Sequence, residues 1–180
     1  MSTIQVLAQQ GKTRIHKGLA DLGMAQLKNM RNEALKSCFA QFDDSRNRME
    51  FVAKIHDKQF VNDAASRTIN STWYALDSCE GDVIWIANTS DTPANYAMIR
   101  GTAAKKVKML LCIGGHSQQI HENFDGIVPI VIDVPTLKDA VHRALYNKIN
   151  AATVIFSPAC ENGVMIDEEG DAFKMEVNEL

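Results

Sequence analysis

An α/β fold is predicted, Rossmann-like, with a mostly parallel sheet and helices on both faces, preceded by a short N-terminal strand and a helical pair. Three features point there. Short apolar, β-branched-rich segments recur at residues 83–87, 107–113, 127–132 and 152–156. Stretches with helical apolar spacing fill the intervals between them. The 180 residues are 46% apolar and 23% charged, enough to bury a core on both sides of such a sheet.

The elements follow in order. Residues 3–8 alternate enough for a short strand. From 15 to 42 the apolar residues Leu19, Leu22, Leu27, Met30, Leu35, Phe39 and Phe42 recur at helical spacing, and Lys28-Asn29 is expected to divide this stretch into two helices. The polar run Asp43-Asp44-Ser45-Arg46-Asn47 marks a boundary, giving an N-terminal piece over 1–45 and a main domain over 46–180. Residues 49–55 and 59–62 read as a hairpin turning at His56-Asp57-Lys58. Helices over 70–79, 95–104, 116–123, 137–149 and 167–179 then alternate with the four strands. In such folds a ligand crevice lies beyond the carboxyl ends of the strands, so the loops after Asn62, Ala87, Ile113, Ile132 and Phe156 are where a site is expected.

The net charge of −3, with acids and bases interleaved, argues against a nucleic-acid groove, which shows a basic stripe. No segment approaches the roughly 20 apolar residues of a membrane span, and no signal peptide is recognisable, so a cytoplasmic protein without a membrane is expected. The four cysteines form no CxxC pair and read as reduced thiols, Cys112 and Cys160 at strand ends. The five histidines show no zinc-binding spacing, and no metal is expected.

Gly11-Lys12-Thr13 ends like a phosphate-binding loop, but the first glycine of that motif falls on Val6, inside the predicted strand. Gly114-Gly115-His116 follows a strand and precedes a helix. It can present amides to an anion or merely turn the chain. Ser157-Pro158-Ala159-Cys160 follows the last strand, where a parallel sheet presents either a ligand loop or a plain turn.

Phe51-Val52-Ala53, Val61-Asn62-Asp63, Asn70-Ser71-Thr72-Trp73-Tyr74-Ala75-Leu76, Ile84-Trp85-Ile86 and Ile155-Phe156-Ser157-Pro158-Ala159-Cys160 occur in one order and spacing. Together they resemble the C-terminal domain of the Mur ligases that add D-glutamate to UDP-N-acetylmuramoyl-L-alanine. The similarity covers roughly 46–180. Residues 3–42 are similar, more weakly, to the last strand and closing helices of that family's central domain. The resemblance implies ATP and Mg²⁺ as family cofactors, with no cofactor assigned to this chain itself. It also implies that Arg48 and Asp63 contact the nucleotide and that Ser157 stands beside the amino-acid substrate. Simpler roles are open for each: Asp63 as a helix cap, Arg48 paired with a surface acid, Ser157 on a strand-end amide.

Several departures cluster on one pocket. The family's lysine and threonine after Asn62-Asp63 are Ala65 and Arg67 here, a later lysine is Thr92, and the arginine before a late glycine is Glu169. The segment after Cys160 is shortened and lacks its aromatic residue. The ligase reaction needs a phosphate loop with its lysine and Mg²⁺, and this sequence carries none. The expectation is therefore a non-catalytic binding or interaction module with no catalytic residues of its own, the alternative being one subunit of a split D-glutamate-adding ligase. The partners to expect are a second copy, as a homodimer through residues 15–42, or a separate ligase subunit.

Overall fold

Glycine and proline are the residues that disfavour a helix interior most, and neither lies between Met24 and Cys38. In the structure, a computed structural model that describes residues 22, 24–38 and 46–180, residues 24–38 accordingly form one helix, α1. It runs through Lys28-Asn29, where two helices were expected. The predicted strand at 3–8 and the ends of the 15–42 stretch lie outside the described residues. The chain divides into two units, Met1–Ala40 and Gln41–Leu180.

The second unit opens with the hairpin β1 (Glu50–Ile55) and β2 (Lys58–Asn62), antiparallel and turned through His56 at φ 53°. There follow α2 (Ile69–Ser78), β3 (Val83–Asn88), a short 3₁₀ turn (Tyr96–Met98), α3 (Arg100–Lys106), β4 (Val107–Ile113) and α4 (Gln118–Phe124). The unit closes with β5 (Ile130–Val134), α5 (Leu137–Tyr146), β6 (Thr153–Phe156) and α6 (Ile166–Asn178). The six strands form one sheet in the order β1-β2-β6-β3-β4-β5, and every pair except β1–β2 is parallel. The four strands expected to lie parallel do so.

Boundaries moved where side chains or proline intervene. β5 begins after Pro129, not at 127. The amides of Ile127 and Val128 both donate to the Phe124 carbonyl that ends α4, and proline has no N–H for the ladder. α5 ends at Tyr146, not 149. There Asn147 Nδ2 donates to the carbonyls of Arg143 (2.9 Å) and Ala144 (2.6 Å), while its Oδ1 accepts from the Ile149 amide. Lys58 Nζ adds bonds to the Ala144 and Leu145 carbonyls at 3.2 and 3.3 Å. The helix expected over 95–104 resolves into the 3₁₀ turn and α3.

β3 is buried along its whole length, and its residues alternate between two cores. Ile84 and Ile86 join Phe60, Met109, Leu111, Val154 and Phe156 under α5 and α6, where Phe156 stacks on Phe173. Trp85 points the other way and meets Phe124 of α4 edge-on at 5.6 Å, with Tyr96 on the same ring. α2, α3 and α4 gather around that 3₁₀ turn. The chain therefore leaves β2 toward one face, β6 toward the other, and β3 back toward the first. The carboxyl end of β6 is a point where loops part on both sides, the place where such sheets open a crevice.

Candidate functional site

Three loops meet at that end of β6. The Ser157 amide donates to the Ile86 carbonyl, the Asn88 amide to the Pro158 carbonyl, and the Ala159 amide to the Ser66 carbonyl. Trp85 Nε1 fastens the Ser157 carbonyl at 2.8 Å. Ala159 sits at φ 65°, a left-handed conformation that a non-glycine residue adopts only under constraint. A well-determined turn at the tip of a strand is where side chains can be aimed accurately.

All three residues singled out by resemblance lie in this place, and they touch or face one another. Asp63 and Ser157 are fully buried and Arg48 nearly so. Ser157 Oγ donates to Asp63 Oδ2 at 2.9 Å and lies 2.9 Å from Thr72 Oγ1, while the Met49 amide donates to Asp63 Oδ1 at 3.3 Å. Burial pushes the Asp63 carboxyl up to about 7. The Ser66 and Ser157 hydroxyls, the Arg48 guanidinium and the Met49 amide all pull it back down without cancelling the desolvation. The simpler roles fare differently. Thr68, not Asp63, caps α2 with its side chain, in a box shared with Ser71. Arg48 is buried beside Asp63. Ser157 serves a buried carboxyl, not a strand-end amide.

Beside this cluster lies a second one that sequence reasoning saw only as separate substitutions. The Arg67 side chain is 4% exposed, and its Nε donates to the Ala64 carbonyl at 3.0 Å. Its Nη1 donates to Asn162 Oδ1 at 2.6 Å and its Nη2 to the Val164 carbonyl at 3.3 Å. Nη2 also stands 2.6 Å from Glu169 Oε2, an ion pair whose acid is 11% exposed. Glu169 Oε1 accepts from Asn88 Nδ2 and from Asn162 Nδ2, each at 2.5 Å. Neither Ala65 nor Thr92 offers a cation beside this pair: the Ala65 amide holds the Asn47 carbonyl and its carbonyl accepts from the Arg67 amide, while the Thr92 amide holds the Ser90 hydroxyl.

The Gly114-Gly115 turn is a turn. Gly114 stands at φ 105°, and a Cβ there would press on Thr89 Oγ1, which itself accepts from the His116 amide. An open polar cleft of about 530 Å³ beside it is lined by Ser90, Asp91, His116 and Gln119 among others. Among the described residues no group of three or more His, Cys, Asp or Glu converges as metal ligands, and no helix is long and apolar enough to cross a membrane. Burial pushes the Cys79 and Cys112 thiols up to about 12, far from nucleophilic use.

The chain is 30% identical over 179 residues to a UDP-N-acetylmuramoylalanine–D-glutamate ligase of Porphyromonas gingivalis, a match covering 98% of the chain and 40% of the relative. It is 31% identical over 178 residues to the enzyme of that description in Bacteroides thetaiotaomicron, again covering 40% of it. The chain is a relative of the D-glutamate-adding Mur ligases, matching their C-terminal part. It spans about 40% of the length of those relatives. No protein-family model matches it. Among solved structures, a domain assigned to a UDP-N-acetylmuramate:L-alanyl-γ-D-glutamyl-diaminopimelate ligase of Haemophilus ducreyi superposes with a TM-score of 0.50. That superposition covers 72% of this chain and 99% of the domain at 7% identity, a likeness of fold alone.

Against this kinship the second cluster changes meaning. Arg67 stands where the resemblance puts a threonine, and Glu169 where it puts an arginine. In this chain the two replacements face each other as an ion pair.

Proposed function

We propose that this chain is a Mur-ligase C-terminal-like module that serves peptidoglycan precursor synthesis by binding or interaction and does not itself carry out ligation. The Arg67–Glu169 pair carries this proposal. It occupies the crevice at the end of β6 with a buried guanidinium and a largely enclosed carboxylate 2.6 Å apart. An incoming dicarboxylate such as D-glutamate needs free cationic partners to offset its desolvation, and Ala65 and Thr92 supply none. ATP and Mg²⁺ are inferred only for the ligases. Of the residues assigned to nucleotide contact here, the Asp63 carboxyl is fully enclosed and engaged with Ser157, and Arg48 is buried beside it. Within this chain we give Arg48, Asp63 and Ser157 the task of holding the three loops together.

The test is direct. The purified chain, incubated with ATP, Mg²⁺, D-glutamate and UDP-N-acetylmuramoyl-L-alanine, is expected to release no phosphate and to form no dipeptide product above a heat-killed control. Product formation overturns the proposal. If the chain works instead as one part of a split ligase, product appears only after a separate protein carrying the ATP-binding parts is added.

A homodimer through residues 15–42 belongs to the same proposal. Leu22, Met24, Leu27 and Met30 are 57–68% exposed in the single chain. A second copy covers such a stripe with an identical one.

A further inference from the structure

Two of the three acids in the first turn of α6, Asp167 and Glu168, are exposed. Exposed acids suit a helix N-terminus, where the dipole favours them, and Asp167 also accepts from Asn47 and pairs with Arg46. Glu169 is different, being drawn inward until its side chain is 11% exposed. Its carboxylate then meets three donors, one at the end of a parallel strand and two in loops that follow such strands. Arg67 follows β2, Asn88 ends β3, and Asn162 follows β6. The donors are themselves oriented. Arg67 is held by the Ala64 and Val164 carbonyls and by Asn162, with Glu161 a further 3.9 Å contact. Asn162 Oδ1 also accepts from the Val164 amide at 3.2 Å.

A plain ion pair needs one cation. This arrangement is richer: a guanidinium faces one carboxylate oxygen while two amide groups converge on the other, inside loops positioned as a parallel sheet positions its ligand loops. We propose that Arg67, Asn88 and Asn162 form a carboxylate-binding site that the chain fills with its own Glu169, which acts as a tethered ligand. The inference builds on the occupied crevice of the preceding section and adds what the crevice recognises. Glu169 is held at an effective concentration that a freely diffusing, weakly bound carboxylate does not match. The intact chain is therefore silent toward small carboxylates, and removing the tethered group uncovers the site. The ligand class is a small aliphatic carboxylate.

The test uses the full chain with Glu169→Ala, with acetate as the probe and chloride at equal ionic strength as the control. Glu169→Ala leaves a buried guanidinium without its anion, and its thermal midpoint is expected to fall by on the order of 5–10 °C. Acetate at tenfold its dissociation constant is expected to return about 3–5 °C of that. Wild type and Glu168→Ala gain no more from acetate than from chloride. The double variant Glu169→Ala/Arg67→Met loses the response. A folded Glu169→Ala that answers acetate and chloride alike overturns the proposal, as does an acetate response that survives in the double variant. Should Glu169→Ala fail to fold alone, it is refolded across an acetate series. Native circular dichroism recovered with acetate but not chloride supports the site, and an unfolded chain in both refutes it. No nucleotide or ligase substrate enters this experiment, so its failure and that of the ligation assay are read separately.

Discussion

Asp63 sets a pH dependence that belongs to one residue. Its carboxyl ordinarily titrates near 3.8 and in the folded chain is pushed up to about 7, because burial outweighs the hydroxyls, amide and guanidinium around it. A folded-state value above the unfolded one means that the protonated form is favoured by folding. The stability it contributes is full below about 4 and is lost as pH rises through 7, at up to about 1.4 kcal/mol per pH unit within that window. Asp63→Asn is neutral throughout, so urea unfolding at pH 5 and pH 8 is expected to show a smaller fall in stability for the variant than for wild type. Burial lowers His121, while hydrogen bonds that its ring donates to Asp125 and Asp133 raise it, with a net rise that adds a slope of the same sign. That slope is common to both proteins and drops out of the difference. Equal slopes in the two proteins would show that Asp63 is not the titrating group.

Arg48, Asp63 and Ser157 were legible in the sequence through their match to a family pattern, and the fold brings them together. The neighbouring Arg67–Glu169 pair was visible only as two unrelated departures. The available signal was that one position gained a positive charge while the other exchanged positive for negative. Nothing in the sequence marks Asn88 or Asn162 as their partners, because amide convergence on a carboxylate is a property of loop ends that only the folded sheet defines.

At the scale of elements, the docking of α6 turns on one close approach. Asn47 is fully buried at φ 61° and uses its side chain twice, donating to Asp167 at 2.6 Å and accepting from Asn62 Nδ2 at 2.9 Å. Gly170 passes so near that a Cβ there would overlap the Asn47 side-chain oxygen and come within 3.0 Å of Asn62 Nδ2. Gly170→Ala is expected to cost about 1–3 kcal/mol despite the better helix propensity of alanine. Asn47→Gly suits the left-handed backbone but gives up both hydrogen bonds. In the double variant the overlap is gone, so the combined loss measured by urea unfolding is expected to fall short of the sum of the two singles. Strict additivity would mean that the two positions do not press on one another.

The parallel strands were legible because each is short and mostly apolar, as strands of a sheet covered on both faces are. Boundaries were not, wherever a single side chain decided them. Pro129 delays β5, and Asn147 with Lys58 stops α5 at Tyr146 by taking its last carbonyls. Hydrophobic periodicity has no term for a side chain that caps a helix from a strand far away in sequence.

Between two units of one chain the apolar surface that each leaves bare decides how the whole molecule behaves in solution. Among the described residues of the first unit, Leu22, Met24, Leu27 and Met30 are each more than half exposed. Leu27 and Met30, three residues apart on α1, lie on one side of the helix, beside the cations Lys28 and Arg31. A stripe of this kind invites a copy of itself, because a two-fold axis lets each apolar residue meet an apolar residue while the cations fan outward to solvent. The expected state at micromolar concentration is thus a dimer of twice 19.9 kDa by light scattering. Leu27→Glu places two like charges within the contact and is expected to return the chain to a monomer, leaving the circular dichroism of the sheet domain unchanged. A wild-type chain that is already monomeric, with residues 15–42 resisting a protease that cleaves unfolded segments, would place the cover for that stripe within the same chain and dispose of the dimer.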